Sequence, residues 1–177
     1  GGYSGGVGGT CQVQQTGQPT NSFYVYQQIY DANGNPIEGL YVDRNKDGVV
    51  NEKDKYVYKK AAPDVTIGFN TQLSWKALTL AVSAHANIGN YVYDNISSNG
   101  ELLTDLWTNN FTNNRVVTAP QTNFRSSGQY LSDYYVRNAS FFKLDNITLS
   151  YRFDLGKAAD RGLSLDLFGT VSNVATI

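Results

Sequence analysis

The sequence predicts an all-β chain that forms part of a large antiparallel transmembrane β-barrel. Charged residues make up 16% of the chain, below the roughly 25% of a typical soluble domain. Aromatic residues reach 13%, and thirteen of them are tyrosines. Several runs alternate between apolar and polar residues over about the 9–11 positions that a tilted strand needs to cross a bilayer. Composition alone does not exclude a soluble β-sandwich, because sandwiches share this bias towards aromatic residues and alternating polar and apolar faces.

The first sixty residues predict short strands and turns. Residues 1–22 are rich in Gly, Gln, Thr and Ser, which favours loop or a poorly paired strand. The aromatic and β-branched run at 23–30 predicts the first strong strand. It ends at 31–36, where an Asn-Gly pair supplies the positive φ of a tight turn. A polar segment then continues to residue 55, and a short strand follows at 56–58.

Residues 64–88 predict an antiparallel hairpin that turns at residues 75–77. Apolar and polar residues alternate here with a period of two, which is the geometry of a strand. The predicted outer face carries large apolar residues: Ile67, Phe69, Leu73, Leu78, Leu80 and Val82. Trp75 stands at the turn, at the depth where an amphipathic ring is favoured in a membrane interface.

The rest of the chain repeats this pattern of long strands joined by unequal connections. Residues 89–133 are polar and show little periodicity, whereas 133–154 and 163–172 alternate again. The link at 155–162 is short, like the turn of the first hairpin. Transmembrane barrels have short turns on one side and long loops on the other. Sandwiches rarely join long strands by such a long polar connection, so the pattern favours the barrel.

One motif has specific chemistry: the segment 43–54 follows the spacing of an EF-hand-type calcium loop. Its candidate metal ligands are Asp43, Asn45, Asp47, the Val49 carbonyl, Asn51 and Asp54. Ca²⁺ takes six to eight hard oxygen ligands, and Gly48 permits the sharp turn that brings them together. Asp54 stands where EF-hands have Glu, and no flanking helices are predicted. We expect Val50 to anchor the loop to an apolar surface. The alternative is a turn without metal.

No constellation for catalysis is evident, so the sequence does not predict an enzyme. His85 is the single histidine and lies on a polar strand face, where a solvated or hydrogen-bonded role is expected. Cys11 is the single cysteine. Nucleophile, phosphate-loop and zinc motifs are missing from the sequence. A formal charge of −1 without a Lys/Arg cluster argues against a nucleic-acid partner.

Several tyrosines stand near predicted strand ends. They would form an interface girdle or a structural ladder, and sugar-stacking platforms are a further alternative. These residues are Tyr24, Tyr26, Tyr91, Tyr93, Tyr134 and Tyr135.

Two stretches resemble the SusC/RagA family of TonB-linked outer-membrane transporters. The first is residues 36–43 running into the Asp-rich loop, and the second is residues 132–151, beginning Ser-Asp-Tyr-Tyr-Val-Arg-Asn-Ala-Ser-Phe-Phe. The closing Val-Ser-Asn-Val at 171–174 is similar to a segment near the end of that family's barrel. The resemblance covers roughly residues 20–177 and identifies residues 1–177 as a C-terminal barrel portion with extracellular loops.

The resemblance implies a bacterial outer-membrane importer. Members of the family have a plugged barrel and pair with a SusD-like surface lipoprotein. They take up oligosaccharides or peptides with energy transmitted by TonB. The plug and the TonB-contacting segment are not in this sequence, so neither coupling nor substrate residues are assigned. A secreted, calcium-stabilised, carbohydrate-binding β-sandwich remains the alternative function.

Overall fold

Long antiparallel strands and a set of shorter ones make up the structure, a computed structural model. Two units are distinguished: the loop unit, residues 1–62 and 90–139, and the sheet unit, residues 63–89 and 140–177. The structure describes residues 3–4, 11–103, 107–108, 111–112, 114–122, 124–125, 131–156 and 163–177.

The elements are mostly strands, which confirms the all-β prediction. In chain order the strands are β1 (Tyr3–Ser4), β2 (Gln12–Val13), β3 (Ser22–Val25), β4 (Gln28–Tyr30), β5 (Pro36–Tyr41), β6 (Tyr56–Lys60), β7 (Val65–Trp75), β8 (Leu78–Ile88), β9 (Tyr91–Tyr93), β10 (Trp107–Thr108), β11 (Phe111–Thr112), β12 (Val136–Asn138), β13 (Phe141–Phe153) and β14 (Leu165–Thr176). The helical elements are short: α1 (Asn95–Gly100), α2 (Ala119–Thr122) and one-turn 3₁₀ helices at Glu52–Asp54 and Asp133–Tyr135. Among the described residues, no helix is long and apolar enough to span a membrane.

The sheet unit is one antiparallel sheet with the strand order β14-β13-β8-β7. The predicted hairpin is confirmed, because β7 and β8 pair along their full lengths and Trp75 lies opposite Leu78. Leu80 of β8 lies between Leu73 of β7 and Leu149 of β13. Paired residues of antiparallel strands share a face, so this register gathers the apolar residues on one side of the sheet.

That apolar face is exposed. Ile67, Phe69 and Leu73 on β7 are 50%, 54% and 63% exposed, and Leu167 and Val171 on β14 are 65% and 62% exposed. The apolar residues of the sandwich alternative would instead lie in a dry core between two sheets. An outward apolar face on strands of 11 to 13 residues is the arrangement of a transmembrane barrel wall.

The opposite face is polar and is joined across the strands by side-chain hydrogen bonds. Thr148 and Thr170 hydroxyls lie 2.9 Å apart, and the Arg152 Nε donates to Asp166 Oδ1 at 2.8 Å. His85 Nδ1 lies 2.6 Å from Asp145 Oδ2, which confirms the expected hydrogen-bonded role. Asp145 occupies an irregularity in register between Leu144 and Asn146.

The loop unit is built from short strands around a small core. A four-stranded sheet has the order β1-β2-β3-β6, and the pairs β4–β5, β9–β12 and β10–β11 are separate. All of these pairs are antiparallel. The buried core residues come from both halves of the unit: Cys11, Phe23, Val25, Tyr93, Tyr135 and Val136.

Three expectations need correction in detail. The strand predicted at 23–30 is interrupted at Tyr26, which bridges to Ser132 in parallel. The strand predicted from 133 begins with a 3₁₀ turn and β12, and β13 starts only at Phe141. In its described parts, the polar connection 89–133 contains α1, α2 and the short strands β9, β10 and β11. Such elements bury single residues, so they leave no periodic signal in the sequence. Part of the predicted link 155–162, residues 157–162, lies outside the described residues.

We expect Leu80→Arg to destabilise the sheet in a bilayer by about 2–4 kcal/mol, because it places a charge at the middle of the lipid-facing surface. Urea titration of the membrane-inserted protein measures this loss. Ala81→Arg is the matched control, since Ala81 lies on the polar face between Gln72 and Thr148. Equal losses for the two variants would contradict the assignment of faces.

Candidate functional site

Asp133 holds together segments of the loop unit that are far apart in sequence. Its carboxylate accepts from the Gln28 backbone N–H at 2.9 Å and from the Tyr56 hydroxyl at 2.8 Å. Its own N–H donates to the Tyr26 carbonyl at 2.9 Å, and the Tyr26 N–H donates to the Leu131 carbonyl at 2.7 Å. The Ser-Asp-Tyr-Tyr stretch that carries the sequence resemblance therefore fixes the positions of β4 and β6.

Gln28 extends this network into the β4–β5 hairpin. Its side chain is buried, and its Nε2 donates to the Ile37 carbonyl at 2.8 Å and to the Leu40 carbonyl at 3.2 Å. Its Oε1 accepts from the Ser132 hydroxyl at 2.9 Å. Donor and acceptor ends of one buried amide are thus both satisfied, as burial requires.

A buried carboxylate anchors the first end of the long connection. Glu101 is 1% exposed; its Oε2 accepts from the Tyr135 hydroxyl at 2.6 Å and its Oε1 accepts from the Tyr134 hydroxyl at 3.3 Å. Burial, followed by the hydrogen bond and charge of Glu101, raises the pKa of the Tyr135 phenol well above its usual range. The neutral hydroxyl therefore remains a donor to the carboxylate.

The second end of the connection reaches the same pair of tyrosines. The Phe124 ring is buried and meets the Tyr134 ring edge-on, with centroids 6.4 Å apart. The Leu103 N–H donates to the Phe124 carbonyl at 2.7 Å, and Leu102 bridges to Phe124. We call Glu101, Leu102, Leu103, Phe124, Tyr134 and Tyr135 the neck. It closes the segment between residues 103 and 124 at its base, as in the larger loops that carry recognition.

The predicted calcium loop folds into a tight turn stabilised by its own side chains. Asp43 accepts from the backbone N–H groups of Lys46 at 2.7 Å and Gly48 at 2.8 Å. Asp47 accepts from the Val49 N–H at 2.9 Å. Gly48 has a φ of 83°, a conformation that costs glycine little and other residues more.

Asp54 closes the loop from its far end. The side chain is buried, and it accepts from the N–H groups of Arg44 at 2.9 Å, Asn45 at 3.2 Å and Asn51 at 2.8 Å. Hydrogen bonds from the backbone, that of Asn51 first, lower the pKa of the Asp54 carboxyl. The Asp54 side chain, although shorter than the Glu of an EF-hand, thus reaches the backbone at the start of the loop. The expectation for Val50 was wrong, because Val50 is 44% exposed and the loop is held by polar contacts instead.

The oxygen-rich composition of this loop fits a hard cation. Within the described ranges, however, no group of three or more Asp, Glu, His or Cys side chains is arranged to hold a metal ion. The carboxylates accept one backbone N–H or more each. An ionised carboxylate has about four lone-pair sites, so these hydrogen bonds leave acceptor capacity for a cation. Calcium binding at Asp43, Asn45, Asp47, Val49, Asn51 and Asp54 stays a prediction.

Four of the six tyrosines singled out in the sequence lie in the core of the loop unit or pack against it. Tyr93 and Tyr135 belong to its core, and Tyr91 and Tyr134 pack against that core. This supports the structural alternative for them. Two tyrosines that were not singled out, Tyr30 and Tyr58, are 45% and 38% exposed. No signal separates the two groups in the sequence, because both alternate with polar residues in short strands.

Comparison with known proteins relates the chain to receptors and importers. No family model matches it. It is 42% identical over 166 residues to the TonB-dependent receptor SusC of Bacteroides thetaiotaomicron, covering 92% of this chain and 17% of that protein. It is 25% identical over 184 residues to the TonB-dependent receptor P3 of Formosa agariphila, covering 89% of this chain and 18% of that protein. The chain thus spans less than a fifth of the length of these relatives.

Solved structures show the same fold. A structure of the RagAB peptide transporter aligns with a TM-score of 0.67 at 20% identity, covering 97% of this chain and 20% of the other. The RagAB peptide importer in its closed-closed state aligns with a TM-score of 0.61, covering 97% of this chain and 21% of the other. Together with the outward apolar face, these alignments confirm that the strands are part of a large antiparallel transmembrane barrel.

We expect Tyr135→Phe to lower the free energy of unfolding by about 1–3 kcal/mol, because it removes a hydrogen-bond donor from a buried carboxylate. Chemical denaturation measures this loss of stability. Hydrogen exchange of the amides of residues 101–103 reports it locally. Tyr134→Phe removes the longer hydrogen bond of the same carboxylate and should cost less. A Tyr135→Phe protein as stable as the wild type would show that Glu101 does not depend on this donor.

Proposed function

Because the chain belongs to the SusC/RagA family of TonB-dependent receptors, we propose that it supplies wall strands and external loops to an outer-membrane importer of oligosaccharides or peptides. The sheet unit carries the proposal: one face is apolar and exposed, and the other is polar and hydrogen-bonded across the strands. A barrel wall needs both faces, since one meets lipid and the other lines or plugs the lumen.

The loop unit is proposed to lie outside the cell. The start of β7, the end of β8, the start of β13 and the end of β14 all fall at one end of the sheet. Both segments of the loop unit leave the sheet there, whereas the turn at residues 76–77 occupies the other end. Barrels have short periplasmic turns and long extracellular loops. In this orientation the described residues 114–122 of the long connection would face the medium.

The partners follow from the family. We propose that a SusD-like surface lipoprotein covers the barrel and contacts the long connection 89–131. Transport would draw energy from TonB through a plug that belongs to the rest of the receptor. The remaining strands of the same receptor would complete the wall and pair the edges of β7 and β14.

A protease test checks this orientation. Protease added to intact cells that express the whole receptor should cleave a site inserted after residue 117, since Val117 is 87% exposed in the proposed external segment. The same site inserted at Ala77, in the short turn, should be cut only after the outer membrane is permeabilised. Cleavage at Ala77 in intact cells, with protection at 117, would reverse the orientation.

We further propose that the loop 43–54 binds Ca²⁺ and that the ion has a structural role. Three carboxylates, Asp43, Asp47 and Asp54, stand within twelve residues, and like charges this close repel one another unless a cation neutralises them. Calcium is plentiful outside cells, so even a weak site of the extracellular kind would be filled. The loop's hydrogen bonds preorganise it, and the ion would add rigidity.

Asp47→Ala should abolish calcium-dependent stabilisation of the loop. In the wild type, adding calcium should raise the thermal midpoint and protect residues 43–54 from hydrogen exchange. Asp31→Ala is the matched control, since Asp31 likewise accepts from the backbone N–H groups of Asn33 and Asn35, at 2.9 and 2.8 Å, but stands outside the loop. If calcium changes neither the thermal midpoint nor the hydrogen exchange of the wild type, the loop is a hydrogen-bonded turn without a metal.

A further inference from the structure

A row of short polar side chains crosses all four strands of the sheet unit on its polar face. Asn70 on β7 lies opposite Ser83 on β8, and Ser83 lies opposite Asn146 on β13. Asn146 in turn lies opposite Ser172 on β14. Paired residues of antiparallel strands share a face, so these amides and hydroxyls lie side by side. We call Asn70, Ser83, Asn146 and Ser172 the polar row.

The side chains of the polar row differ from their neighbours, because no hydrogen bond within the described residues uses them. Around the row, other polar side chains of this face bind one another across the strands at 2.6–3.1 Å. These pairs are Thr66–Asn87, Ser74–Thr79, His85–Asp145, Thr148–Thr170 and Arg152–Asp166. Asn and Ser side chains each offer a donor and an acceptor, so the polar row keeps that capacity for a ligand.

A cavity lies against the polar row. Its volume is about 430 Å³, and Asn70, Ser83 and Asn146 line it together with Gln72 and Ala81. This volume falls within the range of about 300–1,000 Å³ that is typical of small-ligand pockets. Ala81 lies opposite Gln72, and its methyl group leaves space beside the row. The Gln72 amide adds a further donor and acceptor to the lining.

The residues that line the cavity carry no charge. A charged ligand would therefore lose its hydration there without gaining an ion pair. The Asp145 carboxylate, next to Asn146 in the chain, is 2.6 Å from His85 Nδ1 and keeps its negative charge, which disfavours an anionic ligand. The ligand that fits this surface is neutral and presents hydroxyl or amide groups.

The spacing of the polar row matches a sugar chain better than a peptide. Neighbouring strands are about 4.7–4.9 Å apart, a distance close to the length of one pyranose unit in an extended glycan. Successive sugar rings would therefore meet successive members of the row. An extended peptide presents groups to one side at every second residue, roughly 6.4–6.8 Å apart, and this repeat does not follow the row.

We propose that the polar row, with Gln72 and the cavity beside Ala81, forms a subsite for a neutral oligosaccharide on the lumen wall of the barrel. This inference rests on the proposed function and names the substrate class for the importer. The amides donate to and accept from neighbouring hydroxyls of the sugar, and one sugar ring occupies the cavity.

The test measures binding of defined probes to the purified whole receptor by calorimetry. The neutral saccharide probes are malto- and cello-oligosaccharides, and the comparison probes are oligogalacturonate and a neutral glycine–serine peptide of similar length. We expect at least one neutral saccharide to bind about tenfold more tightly than both comparison probes. If neither neutral saccharide binds more tightly than the acidic saccharide and the peptide, the proposal is wrong.

Paired variants locate the binding. Ser83→Val with Asn146→Val should weaken neutral saccharide binding about tenfold or more, because it removes two hydrogen-bonding members of the polar row. Thr148→Val with Thr170→Val is the matched control, since these hydroxyls lie on the same face but already bind each other at 2.9 Å. It should change the affinity by about twofold or less. Equal losses for the two double variants would refute the subsite, as would unchanged affinity in the first.

Ala81→Leu tests the cavity without removing a polar group. The larger side chain fills the space beside the row, so saccharide binding should weaken while the thermal midpoint of the receptor shows that it is folded. A folded Ala81→Leu receptor with wild-type affinity would count against the subsite. Copurification with a surface lipoprotein tests the importer separately, so a receptor that retains its lipoprotein but binds no neutral saccharide loses only this inference.

Discussion

The continuous antiparallel pairing of β7, β8, β13 and β14 is the constraint on which the rest of the structure depends. Hydrocarbon offers backbone groups no hydrogen-bond partner, so a spanning segment must satisfy them by pairing with its neighbours. Pairing over 11 to 13 residues fixes the register, and the register sends alternate side chains to opposite faces. One face then becomes apolar and the other polar, and the start of β7, the end of β8 and the start of β13 fall at the same end of the sheet.

The loop unit is organised differently, by polar contacts between residues distant in sequence. Its short strands bury few side chains, so apolar packing alone would hold it weakly. Asp133, Gln28 and Glu101 compensate by hydrogen bonding at distances of 2.6–3.3 Å between residues 33 to 105 positions apart in the sequence. Buried groups of this kind stabilise a unique arrangement only when every partner is satisfied. A surface with fixed loops is what recognition of a substrate or a protein partner requires.

The loop 43–54, which we propose as a calcium site, places three carboxylates in one tight turn of the loop unit. Cations contact tyrosine rings in the same unit, as Arg44 does at Tyr56 and Lys59 at Tyr58. Arg44 belongs to both, because its N–H donates to Asp54 and its guanidinium lies over Tyr56. An ion in the loop would therefore also affect the neighbouring cation, through the backbone position of Arg44.

The sequence by itself determined the strands of the sheet unit and the oxygen-rich composition of the calcium loop. Period two in β7 and β8 is a local property, so the order of residues alone assigns the two faces of the hairpin. Only the tertiary structure decided that Tyr93, Tyr135 and Val136 pack with Cys11, Phe23 and Val25, and which tyrosines are buried. Glu101, Phe124 and Asp133 act through partners far along the chain. Such pairings follow from three-dimensional packing and have no periodicity that a sequence pattern reveals.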